Sequence, residues 1–245
     1  MKVIGIIGSM RGKNSREYEI IKRYLKSEKY KNAAIKILTA DSLNINFCQG
    51  CCSCFNTGIC PLDSKDDMKK VKTDLLEADL IIVSSPVYAH QVSGFMKNLI
   101  DRLSYWSHTF HLIGKHVIIC TSTASSGSEY VLSYLKKIMS ALGCIVIGEL
   151  NVTNITSVDE LNEQFQHIEI ALSESLNNFD NINITTFQHV LFKSLRTNLI
   201  KVNGYEHNYW MNNHMFNYFT FKDYLMYKLS LQKKQSVDKK FEISL

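Results

Sequence analysis

Apolar residues come in short runs separated by amphipathic stretches over most of this chain. Lys2 to Gly8 is rich in Ile and Val and reads as a buried strand. Glu17 to Lys26 follows with helical spacing, placing Ile20, Ile21, Tyr24 and Leu25 near one face. The alternation then repeats. Ala34–Leu38, Asp79–Ser84, Lys115–Ser122 and Cys144–Gly148 read as further strands. Asp66–Glu77, Gly94–Leu103, Ser128–Leu142 and Val158–Leu176 read as helices. Strands alternating with helices predict a parallel sheet covered on both faces, and five strands suit the smaller doubly wound order. After about Asn178 the pattern changes to Asn, Tyr, Phe and Lys. Phe216, Tyr218, Phe219, Phe221, Tyr224 and Tyr227 read as aromatic packing on the core or on a second subunit, and the end from Lys233 as loose and polar. The expected division is a domain over 1–180 and an extension over 181–245.

Composition narrows the class. With 245 residues, 45% hydrophobic and 21% charged, the chain has the balance of a soluble globular protein. No stretch approaches the roughly 18 to 20 apolar residues that span a bilayer. The apolar run at the N-terminus is too short for a signal peptide, so the expected compartment is the cytoplasm. From Ile184 onward nine Lys/Arg face four Asp/Glu, an excess that equals the net charge of +5 of the whole chain. These cations are spread out, as on a solvated face, so nucleic acid is not an expected partner.

The first strand runs into Gly8-Ser9-Met10-Arg11-Gly12-Lys13-Asn14-Ser15 and then a helix. Free amides, hydroxyls and the positive end of a helix make such a loop an anion site, and Arg11 and Lys13 add charge-assisted donors. The loop lacks the endings of a P-loop or a dinucleotide fingerprint, so a phosphate monoester suits it better than ATP or NAD. The plain alternative is a βα turn with Ser15 as helix cap.

Five of the seven cysteines lie between Cys48 and Cys60. A disulfide framework is not expected in a reducing compartment. Cys48, Cys51, Cys54 and Cys60 form a C-x2-C-x2-C-x5-C spacing, close enough for one loop to wrap a cubane iron–sulfur cluster. Cys52 stands outside that pattern. A four-thiolate zinc site and a bare or redox-active thiol loop remain as alternatives.

Ser85-Pro86-Val87-Tyr88 follows the third strand and leads into Ser93-Gly94-Phe95-Met96-Lys97-Asn98-Leu99-Ile100-Asp101-Arg102. Together with Gly8-Ser9-x-Arg11-x-x-x-Ser15, this resembles the NAD(P)H-dependent FMN reductase and iron–sulfur flavoprotein families over about residues 1 to 150. The resemblance implies an α/β flavodoxin-like three-layer fold, here with a helical aromatic C-terminal extension. It implies that Ser9, Arg11, Asn14 and Ser15 hold the FMN phosphate and that Pro86, Val87 and Tyr88 line the ring. Ser122, Thr123, Ala124 and Gly127, in the loop after strand four, would cover its other edge. It further implies NAD(P)H as co-substrate, a small acceptor such as a quinone, azo or nitro compound or free flavin, and a homodimer or homotetramer. In the iron–sulfur flavoproteins a compact cysteine motif after strand two binds a [4Fe–4S] cluster near a partner subunit's flavin, which would make a ferredoxin-like donor the partner. Lys97 and Asp101, four apart on a helix, read simply as a pair. No Ser/His/Asp or Cys/His set is convincing, and the flavin would carry the chemistry.

Overall fold

The structure is a computed structural model that describes the backbone of residues 1–179 and 182–243, with side chains as far as residue 233. Its centre is one sheet of β1 (Lys2–Ile7), β2 (Ala34–Thr39), β3 (Leu80–Pro86), β4 (His116–Thr123) and β5 (Ile145–Thr153). The strands run in the order β2-β1-β3-β4-β5, every pair parallel. This is the flavodoxin-like doubly wound order, whose ligand crevice lies outside the carboxyl ends of β1 and β3.

Alternation along the strands feeds two cores. Ile4, Ile6, Ile81, Val83, Val117 and Ile119 face α3 (Met68–Glu77), α4 (Gly94–Leu103) and α6 (Ser128–Ala141). Val3, Ile7, Leu80, Ile82 and Ile118 face α1 (Arg16–Tyr24) and α7 (Val158–Asn177). β3 is buried at all seven positions, and its first four residues, Leu80 to Val83, form a continuous apolar run without alternation.

β5 runs to Thr153, beyond the expected end at Gly148, because it keeps pairing with β4 as far as Thr123. Leu150 and Val152 are buried and alternate with Glu149, Asn151 and Thr153, a period-two pattern that the expected boundary at Gly148 missed. Two short helices, α2 (Ser53–Thr57) and α5 (Trp106–Thr109), were also not expected.

The extension is helical: α8 (Thr186–Leu199), α9 (Tyr205–Asn212) and α10 (Phe221–Ile243). It has its own core, in which Phe192, Trp210, Met215, Phe221, Tyr224 and Leu225 close on Phe110, Ile113 and Ile145 of the sheet domain. Most of the aromatic residues are therefore used within the chain, while Phe219 stays 74% exposed. The backbone of α10 is helical through Ile243, where a loose end was expected. The expected division at 180/181 lies outside the described residues. Among the described residues, no helix is long and apolar enough to cross a membrane.

Candidate functional site

The loops after β1, β3 and β4 all leave the sheet at its carboxyl edge and pack on one another. Gly8 donates its amide to the Ser84 carbonyl at 2.8 Å and accepts the Ser93 hydroxyl at its own carbonyl at 2.6 Å. Ser93 in turn donates its amide to Ser85 Oγ at 2.9 Å and caps α4 by accepting from Met96 N. The Val87 amide reaches the Ser122 carbonyl at 3.2 Å, tying the β3 loop to the β4 loop. Gly127 sits at φ +89°, and a methyl there would stand 3.0 Å from Val87 Cγ1 and 3.2 Å from His90 Cα. Only glycine fits both that backbone and that approach.

Within the β3 loop, Tyr88 and Gln91 exchange amide–carbonyl bonds of 2.9 Å in both directions. The two residues between them, Ala89 and His90, both have positive φ (49° and 59°). That tight hairpin normally takes Asn-Gly, so an Ala-His pair here is locally strained. The strain is offset by His90, which stacks on Tyr130 at 5.6 Å and meets Ser126 Oγ at 3.4 Å. Tyr88 is left 48% exposed at the rim, with Pro86 buried behind it.

The phosphate loop contains a 3-10 turn at Gly12–Asn14. Ser9 is buried, while Arg11, Lys13 and Asn14 are exposed. Ser15 is committed: its hydroxyl donates to the Gly12 carbonyl at 2.6 Å and accepts from the Tyr18 amide, capping α1. The carboxylate of Asp41, in the turn after β2, lies directly against Gly12 and contributes a negative charge beside the loop. On the β4 side, Ser122 donates to Glu17 Oε1 at 2.6 Å, a carboxylate buried at the start of α1. Thr123 Oγ1 donates to the Ser126 carbonyl, closing the loop over Ala124, which is exposed.

The cysteine loop is separate in construction. Its roots are held by α4: Asn98 accepts the Cys48 amide at 3.3 Å and donates to the Ile45 carbonyl at 2.9 Å. Arg102, whose side chain is fully buried, donates to the Asn46 carbonyl, Asp66 and Asp63. Lys72 completes the set, 2.6 Å from Asp63 and 4.9 Å from the Tyr105 ring centroid. Burial opposes the charge on Asp66, but Arg102 and the amides of Met68 and Asn46 hold its carboxyl below the usual range. Burial likewise disfavours Arg102's charge, and the hydrogen bonds it donates to Asp66 and Asp63 outweigh that. Asn98 and Arg102 were not singled out in the sequence as loop anchors. The available signal was Asp63 and Asp66 falling just after the last cysteine. The helix pair of Lys97 and Asp101 does form, at 2.5 Å.

The thiols themselves are spread out. Cys48, Cys51 and Cys52 are exposed, Cys54 is half-buried and Cys60 is buried. Among the described residues, no group of three or more His, Cys, Asp or Glu is gathered as a ligand set. Burial pushes the Cys54 thiol up, and its neighbour Cys60 adds to that.

Residues 1–156, which carry all of these loops, match the family model of NADPH-dependent FMN reductases. The chain belongs to that family. An iron-sulfur flavoprotein of Archaeoglobus fulgidus is 32% identical over 149 residues, 60% of this chain and 66% of the relative. The chain thus spans slightly under two thirds of that relative's length. An iron-sulfur flavoprotein of Methanocaldococcus jannaschii is 28% identical over 155 residues, covering 62% of this chain and 79% of the relative. Among solved structures, the apo form of an NADH:FMN oxidoreductase superposes with a TM-score of 0.52 at 19% identity, over 70% of this chain and 89% of that one. That likeness concerns the fold. The residues beyond 156, which include α7 and the helical extension, lie outside the family match.

Proposed function

We propose that this family member is an FMN-dependent oxidoreductase that moves electrons from NADH or NADPH to a small acceptor, a quinone, azo or nitro compound or free flavin. The observation that carries this reading is the convergence of the loops after β1, β3 and β4 on one carboxyl-edge crevice. Bound FMN supplies the hydride and electron-transfer chemistry, and the chain supplies binding, orientation and exclusion of water.

The residues fit such a group. Ser9, Arg11 and Asn14 would hold the phosphate at the N-terminus of α1, where the helix dipole favours an anion. Ser15 contributes by fixing the first turn of that helix, since its hydroxyl is already spent on the cap. Pro86, Val87 and Tyr88 offer an apolar wall with a polar tip. Ser122, Thr123, Ala124 and Gly127 form the opposite edge. One crevice serving two substrates in turn implies ping-pong kinetics. The test is flavin quantification on the purified chain, followed by NADH and NADPH oxidation assays with each acceptor class. Protein without flavin, and without nicotinamide oxidation by any acceptor, would overturn the reading.

A second reading is favoured by the cysteine loop and by the printed names of the relatives. In it, Cys48, Cys51, Cys54 and Cys60 hold a [4Fe–4S] cluster that relays electrons between a ferredoxin-like donor and FMN. Thiolates on one loop suit the chemistry of such a cluster. Anaerobic purification with iron and flavin quantification separates the readings: iron below about one atom per chain counts against a cluster. Absorbance at about 400 nm that disappears in Cys54→Ser supports it. Both readings take a cytoplasmic homodimer or homotetramer as the working form, with 1–180 carrying the cofactor and 181–245 packing on it.

A further inference from the structure

We infer that the C-terminal extension clasps the cysteine loop, that Tyr205 is the positioning residue of this clasp, and that the loop is thereby left open from one face. The inference rests on packing alone and does not depend on the cofactor assigned above.

Four contacts define the clasp. Gly58, which ends α2 at φ +77°, lies directly under the Tyr205 ring; a methyl there would collide with the ring and stand 2.8 Å from its hydroxyl oxygen. The next residue, Glu206, pairs with His108 Nδ1 at 2.7 Å. One turn further along α9, Trp210 Nε1 donates to the His108 carbonyl at 2.7 Å. His108 is therefore tied to α9 through both its side chain and its backbone. Phe55 of α2 rests on that same imidazole, with ring centroids 5.1 Å apart.

A helix of five residues cannot hold itself in water, because nucleation costs more than one or two hydrogen bonds return. α2 needs an external support, and α9 and α5 supply it. The charged network of Asp63, Asp66 and Arg102 holds the two ends of the loop, and Tyr205 holds its middle. The consequence shows in the exposures. On the clasped side Cys54 is half-buried and Cys60 is buried, while Cys48, Cys51 and Cys52 are exposed beside Phe47, itself 78% exposed. A reagent, metal or redox partner reaches Cys48, Cys51 and Cys52 from solvent.

The test is hydrogen–deuterium exchange on the full chain as purified, resolved to peptides. In Tyr205→Ala, amides of residues 53–60 should exchange about tenfold faster, with the strands β3 and β4 unchanged. Tyr205→Phe should keep the wild-type rates, because the ring makes the contact. Glu206→Gln should raise exchange over 53–60 by about two- to threefold, and it decides the matter should Tyr205→Ala not fold. Unchanged exchange over 53–60 in Tyr205→Ala overturns the inference. So does an increase shared equally by β3 and β4, or a Tyr205→Phe variant that behaves like Tyr205→Ala.

Discussion

Around the crevice, the chain closes its loops with backbone hydrogen bonds, serine hydroxyls and a glycine pressed against Val87. The cysteine loop, a short distance along the same edge, is held instead by buried charge beneath its ends and by aromatic rings from the extension over its middle. The first construction is made mainly of backbone amides, carbonyls and hydroxyls that join the ends of neighbouring strands. The second depends on ion pairs that tolerate no missing partner, and on residues far away in sequence. A rigid cradle suits a ligand that must be held in one pose. The loop, held at its two ends and in its middle, keeps Cys54 half-buried and Cys60 buried while Cys48, Cys51 and Cys52 stay exposed.

The largest expected effect tests the charged half of this contrast. Arg102→Ala leaves Asp66 without its cation in a buried site, while Asp63 keeps Lys72, and should cost about 3 to 5 kcal/mol. Urea unfolding measures it, and a midpoint equal to wild type would break the comparison. Acid should come next. Burial, with a smaller contribution from Lys72, pushes His111 down to about 4 from an ordinary 6.5. Between those values the unfolded chain binds the extra proton. Stability is therefore full above pH 6.5 and falls as the pH drops towards 4, by up to about 3 kcal/mol. His111 is stacked between Trp106 and Tyr209, at 4.9 and 4.7 Å, where the extension meets the sheet domain. Both tryptophans of the chain lie in this region, so their emission should report the acid transition; His111→Phe should shrink it without abolishing it, because burial holds His116 down to about 4 as well.

The smallest effects probe the crevice itself. Arg11→Ala should weaken FMN binding about tenfold while leaving riboflavin binding unchanged, since only FMN carries the phosphate. Asp41→Asn should act in the opposite direction and tighten FMN about threefold, by removing a carboxylate from beside Gly12. Fluorescence titration with both flavins reads the two variants together. Equal losses for FMN and riboflavin in Arg11→Ala would place the phosphate elsewhere.

How much of this was legible in the sequence follows from the range of each interaction. β1, β3 and β4 are buried on both faces and announce themselves as Ile/Val runs, so the sheet and the position of its loops could be read directly. Ser15 was readable both as a phosphate ligand and as a cap, and the structure commits its hydroxyl to the cap. The role of Arg102 was hidden because its partners, Asp63 and Asp66, are nearly forty positions away and on another element. The seat of Tyr205 on Gly58 was hidden for the same reason, and because an aromatic residue in an Asn- and Tyr-rich stretch looks like any other packing residue. The unusual backbone of Ala89 and His90 left no trace, since neither residue is typical of positive φ.

The contact between Gly58 and Tyr205 joins segments made at very different moments of synthesis. At translation speeds of about 5 to 20 residues per second, the roughly 150 intervening residues take on the order of ten seconds to emerge. Over that interval the sheet can begin to assemble strand by strand, but the cysteine segment has no lid. Until the last helices arrive, α2 lacks the support of α9, whereas Cys48, Cys51 and Cys52 stay exposed even in the folded chain.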